Sequence, residues 1–301
     1  MPFFTIVIPT YNRAEKLAIT IRSVLEQTFE DFELLVMDDG STDDTEKMIN
    51  AFSDPRIRYE WAPNSGGPAT PRNRGINAAK SPWISFLDAD DVWYPTKLSE
   101  VAQTIISNPE AHVLCHNEML NVIGSNKKTL LKYGPYEKYF YRIMLTQGNR
   151  LTTSAVTVRT DFLRTHDLRF NQNANYIIVE DYDFWLHLAS QKAQFVFINK
   201  PLGEYIIEDD NISLSTKKLR HNEKVILKNH VYDVQKFEID KDKLWSKILL
   251  RLDIEEGREL LRKGKMVKGI SKLLIIVKKP IQALQYIFNK FQRKLAMVFH
   301  T

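Results

Sequence analysis

Cysteine is nearly absent from this 301-residue chain: Cys115 stands alone. A single thiol excludes an internal disulfide and suits a reducing compartment. Long apolar runs are missing too. The longest uninterrupted one in the tail is Leu273 to Val277, far short of the roughly 20 residues that cross a bilayer. No basic segment with an apolar core precedes the first strand, so no secretory leader is expected. Internal repeats and low-complexity segments are lacking as well. The most informative absence is of acid. From Leu260 to Thr301 there are ten Lys or Arg and no Asp or Glu, while the whole chain carries a net +5. Taking the tail's +10 from +5 leaves residues 1–259 at −5. The basicity belongs to the tail, so no nucleic-acid partner is expected of the body.

What is present suits a globular protein with a real core. The chain is 44% hydrophobic and 26% charged, ordinary values for one large α/β domain with an appendage, or for two domains. Phe4 to Ile8 is an apolar strand stopping at Pro9-Thr10, and Arg13 to Gln27 spaces Leu17, Ile21, Val24 and Leu25 as a helix does. Phe32 to Met37 reads as a second strand, Thr42 to Phe52 as a helix and Ile57 to Tyr59 as a third strand. Alternating strands and helices imply a parallel sheet with right-handed crossovers. A small-residue helix ending near Lys80 precedes a fourth strand, Trp83 to Leu87. Further on, Pro95 to Ser107 and the segment opening at Val179 read as helices, and His112 to Asn117 and Thr152 to Arg159 as strands. Phe195 to Ile198 and Gly203 to Ile207 are late strands, and residues 121–150 are poorly periodic, as a loop over a site would be. From Thr216 the pattern is helical, broken near Gly264 and Pro280.

The fourth strand ends in three carboxylates within four positions, Asp88, Asp90 and Asp91. In open α/β sheets ligands sit beyond the carboxyl ends of the strands. Two carboxylates there suit a hard divalent cation shared with phosphate oxygens. The same residues also suit a plain turn or helix cap. Convergence favours a site, because Thr10 to Arg13, Asp38 to Ser41 and Asp88 to Asp91 all fall at strand C-termini.

Four blocks resemble a known family. Val7-Ile8-Pro9-Thr10-Tyr11-Asn12-Arg13, Asp38-Asp39-Gly40-Ser41-Thr42-Asp43, Asn64…Gly67…Arg72-Asn73-Arg74-Gly75 and Phe86-Leu87-Asp88-Ala89-Asp90-Asp91 are similar to the family 2 inverting nucleotide-sugar glycosyltransferases. Glu180-Asp181 resembles that family's acceptor-site pair. The resemblance covers about the first 215 residues and implies an α/β GT-A fold. That is a Rossmann-like, mostly parallel sheet flanked by helices, here with a C-terminal helical extension. It implies a donor half over residues 1–110, an acceptor half over 111–215 and the extension over 216–301. Residue by residue, it implies that Thr10, Tyr11 and Arg13 line a nucleoside pocket and that Asp39 takes the uracil imide N–H. Arg72 would lie near the base or diphosphate, and Asp88 at the ribose and metal. Asp90 would ligate Mn²⁺ or Mg²⁺, and Asp181 would be the catalytic base. The implied partners are a UDP-sugar donor and a glycan or lipid-linked saccharide acceptor.

Some features depart from that family. The Gln-x-x-Arg-Trp motif and membrane spans of its processive synthases are missing, which favours transfer of one sugar per event. Pro68 and Pro71 replace small residues. Many relatives carry Tyr-Arg-x-His before Asn-x-Ser; here the run is Tyr205-Ile206-Ile207-Glu208, then Asn211-Ile212-Ser213. Glu208 in the histidine's place is read as turned toward the metal. His116, His166 and His187 are read as structural or surface residues. Two other functions fit parts of the pattern. Asp88-Ala89-Asp90-Asp91-Val92 also suits a haloacid-dehalogenase-type phosphatase, and the lost Arg and His suit a non-catalytic assembly subunit of the same fold.

The tail carries a separate signal. Leu284, Phe288, Phe291, Leu295 and Val298 recur at steps of four and three, with Lys290, Arg293 and Lys294 beside or opposite. Basic amphipathic helices of this kind lie on anionic bilayers. The expected location is cytoplasmic, peripheral on the inner face of the cell membrane, with packing on the body or on a second subunit as the alternative.

Overall fold

The computed structural model describes residues 1–125, 127–208 and 216–299, without the side chains of 216 and 293–299. Asn211-Ile212-Ser213 lies outside the described residues. The first part runs β1 (Phe4–Thr10), α1 (Ala14–Leu25), β2 (Phe32–Asp38), α2 (Thr45–Asn50), β3 (Ile57–Trp61), α3 (Ala69–Ala78) and β4 (Trp83–Phe86). It continues through β5 (Val92–Trp93), α4 (Lys97–Ser107), β6 (Val113–Val122), β7 (Thr129–Leu131), α5 (Phe140–Gln147), β8 (Val156–Arg159), α6 (Thr160–Thr165), α7 (Glu180–Ser190) and β9 (Phe195–Ile207). Helices follow: α8 (Thr216–Asn229), α9 (Lys241–Arg262), α10 (Met266–Leu273), α11 (Ile275–Lys278) and α12 (Pro280–Phe299).

Contacts divide the chain into two units, Met1–Tyr136 with Leu151–Leu214, and Glu137–Arg150 with Ser215–Thr301. In the first, a nine-stranded sheet has the order β3-β2-β1-β4-β8-β6-β9-β5, with β7 on the outer part of β6. The strands β3, β2, β1 and β4 pair in parallel, as the strand–helix alternation requires. Beyond β4 the sheet becomes mixed, with β8 antiparallel to both neighbours and β6 parallel to β9.

Every residue of β1 is buried, which explains its continuous apolar run: a parallel strand covered on both faces has no polar side to alternate with. Phe4, Ile6 and Ile8 of β1 share a core with Leu34 and Val36 of β2 and with Leu17, Ile21 and Val24 of α1. The α3 side is held close by a glycine. A Cβ on Gly75 would come within 2.3 Å of Val7 Cγ1, so this small-residue helix can rest directly on β1. Past the end of β4, Leu87 N–H still donates to Val7 O at 3.1 Å. That bond carries Asp88 to the sheet's carboxyl edge beside Thr10.

Several elements depart from the sequence reading. Residues 121–150 contain the end of β6, β7 and α5 rather than a single loop. The two late strands are one, β9, running through Pro201. The expected strand from Thr152 begins as a 3-10 turn, Thr153–Ala155, before β8. In the second unit, Leu250 and Ile254 of α9 bury Ala283 of α12. No helix among the described residues is long and apolar enough to cross a membrane.

Candidate active site

A cavity of about 650 Å³ opens at the carboxyl edge of the parallel strands. Its wall includes every site residue expected from the sequence: Thr10, Tyr11, Arg13, Asp39, Arg72, Asp88, Asp90 and Asp181. Three loops bring the first group together. Asn12, with φ of 49°, accepts Thr42 N–H on its side chain at 2.8 Å. Its own N–H donates to Ser41 Oγ at 2.9 Å. The loop after β1 is thereby tied to the loop after β2. Gly40, at φ of 90°, would place a Cβ 2.6 Å from Asn64 N. Only glycine suits both that left-handed backbone and that approach, so the Asp39-Gly40 turn can meet the loop carrying Asn64.

Asp39 is held rather than loose. Its carboxylate accepts Ser65 N–H at 3.1 Å and Ser65 O–H at 2.7 Å, while its carbonyl accepts Asn64 Nδ2 at 2.9 Å. A carboxylate has about four acceptor sites, so capacity remains for a ligand N–H. Asp38 beside it is structural, accepting Tyr59 O–H at 2.7 Å and Ser41 N–H at 2.8 Å. Arg74 likewise clamps backbone, donating to the carbonyls of Asp38 and Glu60 at 2.8 and 2.6 Å.

Charge organises the floor of the cavity. Arg72 is buried and donates to Asp88 at 2.6 Å and to Glu180 at 2.8 Å. Burial would lower its pKa, but the Asp88 and Glu180 charges outweigh that and raise it. Arg13 pairs with Asp90. The Asp90 carboxyl is pushed up by burial and by Asp88, with Arg13 opposing. Asp91 has a different task. Fully buried, it accepts the Ser154 hydroxyl and Ile206 N–H, the latter at 2.9 Å, and so fastens the carboxylate loop to β9.

Glu180 and Asp181 open α7. The Asp181 carboxylate accepts Tyr182 N–H at 2.6 Å. Burial, then the neighbouring Glu180, push its pKa up to about 7, against the pull of Arg72. That value lets it be charged and still basic near neutrality, which suits a proton acceptor. Two positions before Glu180, Ile178 adopts φ of 80° and lines the cavity. A β-branched residue there is strained by about 1–3 kcal/mol, a cost that concentrates at working sites. No sequence signal pointed to it.

A second group missed by the sequence reading lies behind the wall. Glu118, on β6 and fully buried, accepts Thr152 O–H at 2.6 Å and Tyr133 O–H at 2.8 Å. Thr152 lines the cavity, and Ser154 two residues on accepts Asp88 N–H at 3.1 Å. Glu118 thus anchors the turn that steadies Asp88 and Asp91. Burial pushes its pKa from the ordinary 4.5 up to about 7. The unfolded chain ionises at lower pH than the folded one, so this group's contribution to stability is full below about 4.5 and is lost as pH rises toward 7. Denaturation midpoints should fall over that window, and the fall should be shallower in Glu118→Gln. Glu118→Leu strands two hydroxyls and should cost about 2–5 kcal/mol; an unchanged midpoint would contradict the anchoring role.

Glu208, read from the sequence as turned toward the metal, pairs with Lys16 of α1 at 2.8 Å. Glu208→Gln is therefore expected to leave a Mn²⁺ titration of activity unchanged; a shifted midpoint would return Glu208 to the metal. Of the histidines read as structural or surface residues, His116 is buried against Asn117 O at 2.8 Å and His166 lies against the Phe162 ring, whereas His187 is 3.8 Å from Asp183, near enough for the two to share a cation.

Residues 5–165 match glycosyl transferase family 2, and the chain belongs to that family. It is 30% identical over 184 residues to the Escherichia coli UDP-Glc:alpha-D-GlcNAc-diphosphoundecaprenol beta-1,3-glucosyltransferase WfgD, covering 61% of this chain and 68% of that one. An uncharacterized glycosyltransferase of Haemophilus influenzae is 28% identical over 222 residues, covering 73% of this chain and 84% of that one. Among solved structures, residues 1–349 of S. aureus TarS in complex with UDP-GlcNAc superpose with a TM-score of 0.63 at 22% identity, over 82% of this chain and 72% of that one. The match spans 43% of the longer TarS chain. The Pyrobaculum calidifontis mannosyltransferase PcManGT, in complex with GDP-Man and Mn²⁺, superposes with a TM-score of 0.59 at 14% identity, over 96% of this chain and 80% of that one. The fold is GT-A and the protein is a glycosyltransferase; the phosphatase reading has no support beside the family match.

Proposed function

We propose that the protein moves one sugar from a UDP-sugar to a hydroxyl of a glycan or lipid-linked saccharide, with inversion at the anomeric carbon. One observation carries the reading: Asp181 and the Asp88/Asp90 pair line one cavity, and Arg72 bonds Asp88 on one side and Glu180, the neighbour of Asp181, on the other. Asp181 would accept the acceptor hydroxyl's proton as its oxygen bonds to the anomeric carbon and the bond to UDP breaks. Asp39 would take the uracil imide N–H, with Thr10, Tyr11 and Arg13 around the nucleoside. Arg72 would hold Glu180 and Asp88 in register, so that acceptor and donor groups meet at a fixed distance.

The residues fit a divalent cation. Asp88 and Asp90 offer hard oxygens close enough that the charge of one raises the pKa of the other, the repulsion that Mn²⁺ or Mg²⁺ relieves. When bound, the cation neutralises charge developing on the departing diphosphate. On this proposal residues 1–110 form the donor half, 111–215 the acceptor half and 216–301 a separate helical extension. A lipid-linked acceptor, as in the name of the E. coli relative, would set the work at the cytoplasmic face of the cell membrane. The anomeric configuration of the product, read by NMR, tests the mechanism. Inversion is expected, and a retained configuration would refute Asp181 as base of a single displacement. Tight UDP binding with no turnover of any sugar nucleotide would instead support a non-catalytic subunit.

A further inference from the structure

The C-terminal helices divide their apolar residues between two opposite sides. On α12, Ala283 is fully buried and Tyr286 packs beside it against Leu250 and Ile254 of α9. Ile281, Leu284, Phe288 and Phe291 point the other way and are exposed by 81%, 67%, 56% and 59%. The division repeats upstream, where Gly269 and Leu273 face α9 while Val267, Ile270, Leu274 and Val277 are exposed. Within α12 the exposed positions step by three and four from Ile281 to Phe291, and the helices before it, separated at Leu274 and Lys279, expose apolar residues of their own. Single exposed apolar residues need no explanation, but four in a row on one face of a helix mark a binding surface. Leu295 and Val298 extend the spacing but lie where side chains are not described.

We infer that this row, with its flanking bases, is a docking face for an anionic lipid surface. Charge decides between the possible occupants. Three-four spacing also suits a coiled coil, which sets partners by opposite charges beside the seam. Here the tail has ten bases and no acid, so a second copy's tail would bring like charges together. Some of those bases serve internally: Lys272 pairs with Asp253 and Glu256, and Lys279 donates to Ser246. Lys265, Lys268 and Lys278 are exposed along the same segment, while Lys290 lies over the Tyr286 ring on the side facing α9. Apolar side chains one headgroup deep, bordered by lysines, describe a helix lying in the interface of an acidic bilayer. The face belongs to the helical unit and stands independently of the transfer reaction.

The test is co-sedimentation of the full chain with vesicles of phosphatidylglycerol and phosphatidylcholine, against pure phosphatidylcholine. Binding is expected on the acidic vesicles, at least tenfold weaker on the neutral ones, and weakened by 0.5 M salt because the bases act through charge. Phe288→Glu with Phe291→Glu should lower affinity more than tenfold, while thermal melting and UDP-sugar hydrolysis without an acceptor stay as in the parent. Equal binding by the double variant, or no binding of the parent to acidic vesicles, would overturn the inference. So would a concentration-dependent dimer that the double variant abolishes, since the occupant would then be a second copy.

Discussion

Replacing Asp181 by asparagine is expected to lower turnover by roughly 10²–10⁴-fold, the usual worth of a positioned general base. Asparagine keeps the size and the acceptor oxygen for Tyr182 N–H, but it cannot take a proton. Donor affinity should change little, because the carboxylates and the nucleoside loops are left intact. The pH profile separates this from a merely structural effect. With the Asp181 pKa raised to about 7, kcat/KM should rise with pH through that value as the carboxylate ionises, then level off. The residual activity of Asp181→Asn should lack that inflection. A variant with full turnover, or one retaining the same inflection, would remove Asp181 from the role.

The second large effect is expected at Asp90. Alanine there removes one of the two carboxylates proposed to hold the cation, and with it a negative oxygen that a cation would need. Activity should fall by about 10²-fold or more if the cation carries several kcal/mol of charge stabilisation in the transition state. The fold should survive, because Asp90 pairs only part-buried with Arg13 and the loop is fastened by Asp91 instead. Asp91→Ala is the contrasting change: it should destabilise the loop through the lost Ser154 and Ile206 partners, and thermal melting should show it. Excess EDTA should match Asp90→Ala in effect. Full activity in either condition would contradict the metal reading.

The parallel part of the sheet was legible because its signals are local. The parallel strands β1, β2 and β4 are largely apolar runs followed by turn-forming residues, and α1 shows its buried face at helical spacing. The cavity residues at the ends of those runs, among them Thr10, Arg13, Asp39, Asp88 and Asp90, were legible for the same reason. Direction was not. Nothing in Val156–Arg159 says that β8 inserts antiparallel between β4 and β6, because pairing direction is set by connections rather than by side-chain alternation. Partnership across long separations was hidden as well. Arg72 meets Glu180 across 108 positions, and only the folded sheet brings α3 against the start of α7. Glu118 was invisible because a lone carboxylate on an apolar strand has no spacing to reveal Thr152 and Tyr133. The Lys16 partner of Glu208 was hidden too, because position in a motif does not fix side-chain direction.

Mixing the full-length protein with a panel of UDP-sugars, with and without Mn²⁺, and measuring UDP release tests the central claim most directly. Release is expected from one or a few of the UDP-sugars, faster with Mn²⁺ and suppressed in Asp90→Ala. Neither release nor binding of any UDP-sugar in the presence of Mn²⁺ would contradict the proposed donor class and the use assigned to the cavity.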